Sequence, residues 1–234
     1  MKITIKFLFA FLFLFSFENG EAQTRTKTNF GSDWEFRKEG QDTWEKVTLP
    51  HTANIENLVV VKQFQGVSYY QKKFKANPSK ESKVFLYFEG VMSEAEVFIN
   101  NQKAANHRGG YLPFTVDVTP YLNKDSDNLV TLKVANVDNP EIPPGKAIKD
   151  LDFNFYGGIY RNVYLITTNK LFITDPVHVN KKASGGVFVN FNSVSKNKAE
   201  GIIKVHLKNE FSKKQSLYLN YTLTSKSGKK FELK

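Results

Sequence analysis

The chain is patterned at a period of two. Residues 94–101, EAEVFINN, set Ala95, Val97 and Ile99 on one side, 113–119 do the same with Phe114, Val116 and Val118, and 127–137 with Val130, Leu132 and Val134. Successive side chains of an extended chain point to opposite faces, so each stretch predicts a strand with one face in a core. SKVFLYFEG, residues 82–90, is nearly continuous in apolar residues and predicts a buried strand, and IYRNVYLITT, 159–168, predicts another. A 3.6-residue period is almost absent. VTPYLN, 118–123, is the best helical turn, with Thr119 as its cap and Pro120 at its first position. Short strands at near-regular spacing, broken by Asn, Gly and Pro clusters, predict an all-β sandwich.

Two stretches break that rhythm. ANVDNPEIPPGKAIKDLDF, 135–153, holds three prolines and a glycine, which exclude a regular strand or helix and predict a long loop. Long loops inside compact domains are often functional. After about Thr168 a second alternating series begins, with Val187, Val189 and Phe191, then Ile203, Val205 and Leu207, then Leu217, Leu219, Tyr221 and Leu223. It predicts an immunoglobulin-like sandwich, but shows about four of the roughly seven strands such a domain needs, so it reads as incomplete.

The N-terminus has a different texture. Lys2 and Lys6 precede FLFAFLFLFSF, residues 7–17, and the small residues Gly20 and Ala22 follow. That order predicts a secretory signal over 1–22, cleaved after Ala22, and a secreted or periplasmic protein. The alternative, an N-terminal membrane anchor, is opposed by length, because a span needs roughly 20 apolar residues. The expected division is therefore a signal over 1–22, a first domain over 23–168 and an incomplete second domain over 169–234.

Composition narrows the chemistry. With no cysteine there is no disulfide framework, thiolate metal site or cysteine nucleophile, so stability rests on apolar burial, to which 21 Phe and 10 Tyr contribute. The formal charge of +10 is spread over QKKFK, NKK, SKNK, FSKK and SGKK. These segments form no helical stripe and no nucleic-acid motif, and they fit strand edges guarded by lysine. No nucleic-acid partner is expected, and no membrane partner after signal cleavage. The templates G-x-S-x-G, H-E-x-x-H, the P-loop and G-x-G-x-x-G are all missing. The four histidines, His51, His107, His178 and His206, are dispersed, which disfavours a metal cluster. Glu94, Glu96, Glu141, Asp150 and Asp152 offer carboxylates, but sequence alone singles out no pair of them.

Read in order, the first domain carries WEKVTLPHT (44–52), FQGVSYYQKKF (64–74), LYFEGVMSEAEVFINNQKAANHRGGYLPFTVDVTPYL (86–122), NPEIPPG (139–145) and DFNFYGGIYRNVYL (152–165). This series resembles the N-terminal sugar-binding jelly-roll domain of glycoside hydrolase family 2, the family of β-galactosidases, β-glucuronidases and β-mannosidases. The resemblance covers about residues 30–168, and 169–234 resemble the start of the family's immunoglobulin-like second domain. It implies the non-catalytic front of an exported, β-galactosidase-like enzyme acting on O-glycosidic bonds. The catalytic residues would be two glutamates on a C-terminal barrel of roughly 250 residues. That barrel would be the missing partner of this chain, and a β-galactoside-like carbohydrate the ligand. No catalytic residue and no cofactor are expected here, although the full enzyme has room for a monovalent or divalent cation. The alternatives are a free-standing carbohydrate-binding sandwich and a truncated product without activity.

The resemblance also weights single residues. Asp152 matches an acid that five residues, here 153–157, separate from the family's glycine–hydrophobe–aromatic–arginine core, here Gly158 to Arg161, and that reaches toward the sugar pocket. Against this stands an acid that caps its own loop or pairs with Arg161. In HRGGYLPF, 107–114, His107 and Tyr111 are candidate sugar contacts, whereas Tyr111 and Phe114 at strand spacing also fit a core. Gly109, Gly110, Gly157 and Gly158 are expected where backbone geometry demands glycine. In LPHT, Pro50 is expected to fix a turn and His51 to bond local backbone.

Overall fold

Two antiparallel sheets account for the chain from Thr26 to Asn169. The computed structural model describes residues 25–55, 63–196 and 198–233, so the predicted signal over 1–22 lies outside the described residues. The strands are β1 (Thr26–Asn29), β2 (Trp34–Lys38), β3 (Glu45–Val47), β4 (Val67–Lys75), β5 (Ser82–Phe88), β6 (Glu94–Ile99), β7 (Gln102–Arg108), β8 (Phe114–Asp117), β9 (Asp127–Ala135) and β10 (Val163–Asn169). One sheet has the order β1-β10-β5-β8 and the other β3-β2-β4-β9-β6-β7.

Alternation decides which side chains meet between them. Val84, Leu86 and Phe88 of β5 face Trp34, Tyr70, Val97 and Leu132 of the larger sheet in one continuous apolar core. The aromatic rings there meet edge-on, as Phe30 does with Trp34 at 5.9 Å and with Phe74 at 5.3 Å, the arrangement that ring quadrupoles favour. The buried indole of Trp34 donates to the Phe30 carbonyl at 2.7 Å, which satisfies its one polar atom. Predicted strands and inward faces agree with the structure in 94–101, 113–119 and 127–137.

Several local expectations are corrected. Thr119 does not cap the short 3-10 turn Thr119–Tyr121; Val118 occupies that position, and the Thr119 hydroxyl accepts from Val84 N at 2.8 Å instead. Pro120 does fall in the first turn. The strand expected from Ile159 begins only at Val163. Residues 136–162 hold no strand, and their one regular piece is the 3-10 turn Ile148–Asp150. The delay arises because residues 157–159 spend their backbone bonds on two other loops, described below.

Beyond β10 the chain forms β11 (Leu171–Ile173), a short helix α1 (Pro176–Val179), β12 (Val187–Val194), β13 (Ala199–Val205), β14 (Leu207–Asn209), β15 (Tyr221–Thr224) and β16 (Lys230–Leu233). These strands pair as three separate two-stranded sheets, β11-β14, β12-β13 and β15-β16. Leu217 and Leu219, expected in a strand, precede β15 in irregular chain. His178 lies in α1; Asp175 caps that helix, accepting from Val177 N and His178 N.

This second unit packs on the outer face of the first. Phe85 of β5 touches the rings of Phe172 and His178, both at 5.7 Å. Lys83, almost fully enclosed, lies 2.5 Å from Asp117 and 2.8 Å from Glu210. The continuous apolar run of β5 thus has a cause: one face enters the sandwich core and the other lies under the second unit.

Candidate functional site

One end of the sandwich is built from four loops, around residues 51–55, 90–93, 109–112 and 151–161. Residues 157–159 hold them together. Their backbone bonds to the first loop on one side, His51 N to Ile159 O at 2.8 Å and Ala53 N to Gly157 O at 2.7 Å, and to the second on the other, Met92 N to Gly158 O at 3.0 Å. Gly158 has φ +116°, and a Cβ there would lie 2.5 Å from the Tyr70 hydroxyl and 2.8 Å from the His51 carbonyl. Only glycine fits such a crossing. Gly157 is closed in by the Asn136 amide, and a Cβ on Gly110 would lie 2.1 Å from the Met92 sulfur. Gly109 adopts φ +130°.

Beneath the crossing, His51 Nδ1 meets the Tyr70 hydroxyl at 2.9 Å, so its side-chain partner is a phenol and not the local backbone. Burial lowers the His51 pKa, opposed by the Glu45 carboxylate, and burial raises that of Tyr70, opposed by a bond to Ile159. The pair braces the loop end from beneath.

Above the crossing lies a cleft of about 510 Å³ whose walls include Tyr111, Phe153, Phe155, Tyr156, Tyr160 and Met92, with Thr52 and Asn154 as polar members. Tyr111, Phe153 and Tyr156 are exposed aromatics, whereas Phe114 is buried and stacked on Phe88 at 4.7 Å. The pair Tyr111 and Phe114, alike in sequence, is split by the structure between cleft and core. The Tyr160 hydroxyl donates to the Gly110 carbonyl and ties two of the loops.

The remaining singled-out residues are placed as follows. Asp152 directly precedes Phe153 and is exposed. Among the described residues it has no hydrogen bond or ion pair, so it neither caps its loop nor pairs with Arg161. Arg161 is exposed, its guanidinium 5.9 Å from the Tyr160 ring centre. His107 lies outside the cleft walls: its ring stacks on Phe114 at 4.2 Å and its Nε2 meets Gly109 O at 2.8 Å. Burial lowers its pKa, opposed by the backbone bonds to Gly109 and Leu112. Glu94 and Glu141 both engage Arg108, and Glu96 engages Lys103, so these acids are committed to surface ion pairs. Among the described residues no group of three or more His, Cys, Asp or Glu is placed to hold a metal ion.

Phe153, Tyr156, Tyr160 and Met92 were not singled out by sequence. A signal for two of them was present: Phe153 and Tyr156 are aromatics in DFNFYGG, which lies outside every strand that the pattern predicts.

Comparison with known proteins places this geometry. Residues 17–169 match the model of the sugar-binding domain of glycosyl hydrolases family 2. A β-glucuronidase of Bacteroides fragilis is 36% identical over 76% of this chain and 25% of its own length. A β-galactosidase of Thermoanaerobacter pseudethanolicus is 32% identical over 68% of this chain and 23% of its own. Among solved structures, Bacteroides uniformis β-glucuronidase 2, covalently bound to cyclophellitol-6-carboxylate aziridine, superposes with a TM-score of 0.75 at 26% identity, over 90% of this chain and 26% of that one. The chain thus spans about a quarter of the length of the curated relatives it matches. It belongs to glycoside hydrolase family 2, and the two-sheet sandwich that carries the aromatic cleft is that family's sugar-binding domain.

Proposed function

We propose that this chain is the front of an exported family 2 glycosidase of the β-galactosidase type, and that its loop end forms one wall of the sugar site. In that enzyme the chemistry is retaining hydrolysis of an O-glycosidic bond by two carboxyl groups of a barrel outside this chain. This chain supplies a scaffold and Asp152, whose carboxylate accepts hydrogen bonds from sugar hydroxyls. The observation supporting this role is that Asp152 is exposed, with no partner among the described residues, on the same loop as the aromatic cleft. In a longer chain containing this sequence, Asp152→Asn is expected to lower kcat/KM about 10- to 100-fold, the size of a hydrogen bond to a charged group, with the melting temperature unchanged. Unchanged kcat/KM would remove Asp152 from the site. Export is tested separately, by a mature N-terminus at Gln23.

A glucuronide is the second reading. Two observations favour it: the 36% identity to a β-glucuronidase, and Arg161, an exposed cation beside the cleft that can pair with a uronate carboxylate. The ratio of rates on 4-nitrophenyl β-galactoside and β-glucuronide decides between them, and Arg161→Gln lowers only the glucuronide rate if this second reading holds.

A further inference from the structure

We infer that the aromatic cleft at the loop end is a subsite for a flat, uncharged, apolar aglycone, rather than for a second sugar. The inference rests on the reading of Asp152 as a sugar contact for its orientation, but its chemistry comes from the cleft itself.

The polar atoms in the walls are largely spent. Thr52 Oγ1 donates to the carbonyls of Asn54 at 3.1 Å and Gly157 at 3.0 Å, and the Tyr160 hydroxyl donates to Gly110. Among the described residues, Asn154 and the phenol tips of Tyr111 and Tyr156 are what remains, and no Asp, Glu, Lys, Arg or His is among those lining the cleft. A pyranose brings several hydroxyls, each costly to desolvate without a partner. An aryl group brings a flat apolar body that matches exposed aromatic rings and asks for few hydrogen bonds. The volume, about 510 Å³, lies within the roughly 300–1,000 Å³ of small-molecule sites. Phe153 directly follows Asp152 in the chain, and this sets the orientation inferred: the sugar at Asp152 and the aglycone at the Phe153 ring.

The test is calorimetry of the full chain with three probes: 4-nitrophenyl glycosides, the corresponding methyl glycosides, and free 4-nitrophenol, each as galactoside and glucuronide where a sugar is present. The 4-nitrophenyl glycosides are expected to bind about tenfold tighter than the methyl glycosides. Phe153→Ala and Tyr111→Leu are each expected to remove roughly fivefold of that advantage. Both side chains are exposed, so an unchanged melting temperature shows that the fold is intact. Equal affinity for aryl and methyl glycosides, or an aryl advantage that survives both substitutions, overturns the aglycone subsite and leaves the sugar contact standing. Binding of free 4-nitrophenol, lost in Phe153→Ala, with no added affinity from the sugar, keeps the subsite and overturns the role of Asp152.

Discussion

The same alternating pattern has opposite outcomes in the two halves of this molecule. In the sandwich, Val84, Leu86 and Phe88 are at most 1% exposed. In β12, Val187, Val189 and Phe191 repeat the pattern and are 57%, 49% and 61% exposed. Period-two patterning determines that a segment is extended and which residues share a face. Burial needs a second sheet opposite that face. The first half has one, while the second consists of three two-stranded sheets among the described residues. An isolated two-stranded hairpin is marginally stable in water.

The largest effect expected from this contrast is in core truncation. Leu86→Ala should cost about 2–5 kcal/mol of stability, the usual range for a buried leucine. Val189→Ala should stay within about 0.5 kcal/mol, as at other exposed sites. Chemical denaturation of the two variants measures both, and similar losses would mean that the β12 face is covered in solution.

A smaller contrast lies in two glycines with positive φ. Gly158→Ala meets both strain and the Tyr70 hydroxyl and should cost about 2–4 kcal/mol, since the ring and two loops must move. Gly228 has φ +85° with nothing within 4 Å of a Cβ, so Gly228→Ala should cost only about 1 kcal/mol. Equal costs would show that backbone strain, not closure of the loop end, governs both.

The finest test is at the seam between the halves. Burial pushes the Glu210 pKa up, but the hydrogen bonds from Lys208 and Lys83 outweigh it and hold the carboxyl below its ordinary 4.5. A depressed carboxyl contributes stability that is complete above the unfolded value and is lost as pH falls through the folded one. Burial likewise pushes Lys83 down, and its bonds to Asp117 and Glu210 outweigh that, so its contribution is complete below 10.5 and fades in alkali above it. Between these limits the seam should be closed. Acidification below pH 4.5 should lower the protection of the Glu210 amide, measured relative to the intrinsic exchange rate at each pH, before that of the core amides of β5; this amide donates to Lys170 O at 2.9 Å. Glu210→Gln should abolish that pH dependence. Simultaneous exchange at both places would make the halves one cooperative unit.

Much of the site was half-legible. The glycines at 157 and 158 announced an unusual backbone, and Asp152 was marked by resemblance. The aromatic wall was not, because Tyr111 comes from a different loop than Phe153 and Tyr156 and no periodicity links the two loops. His51 and His107 show the converse: isolated polar residues that proved to be braces, one on Tyr70 and one on Phe114.

Local chemistry, then, determined the elements of this protein: alternation set the strands of the first half and their inward faces, and Pro and Gly clusters set the loop from 135. The tertiary structure alone decided three things. It placed Tyr111 in the cleft and Phe114 in the core, started β10 at Val163 instead of Ile159, and set no second sheet over β12 among the described residues. Each depends on which distant segment arrives to take the backbone bonds or the apolar face. That is a long-range choice on which the local pattern of a segment is silent.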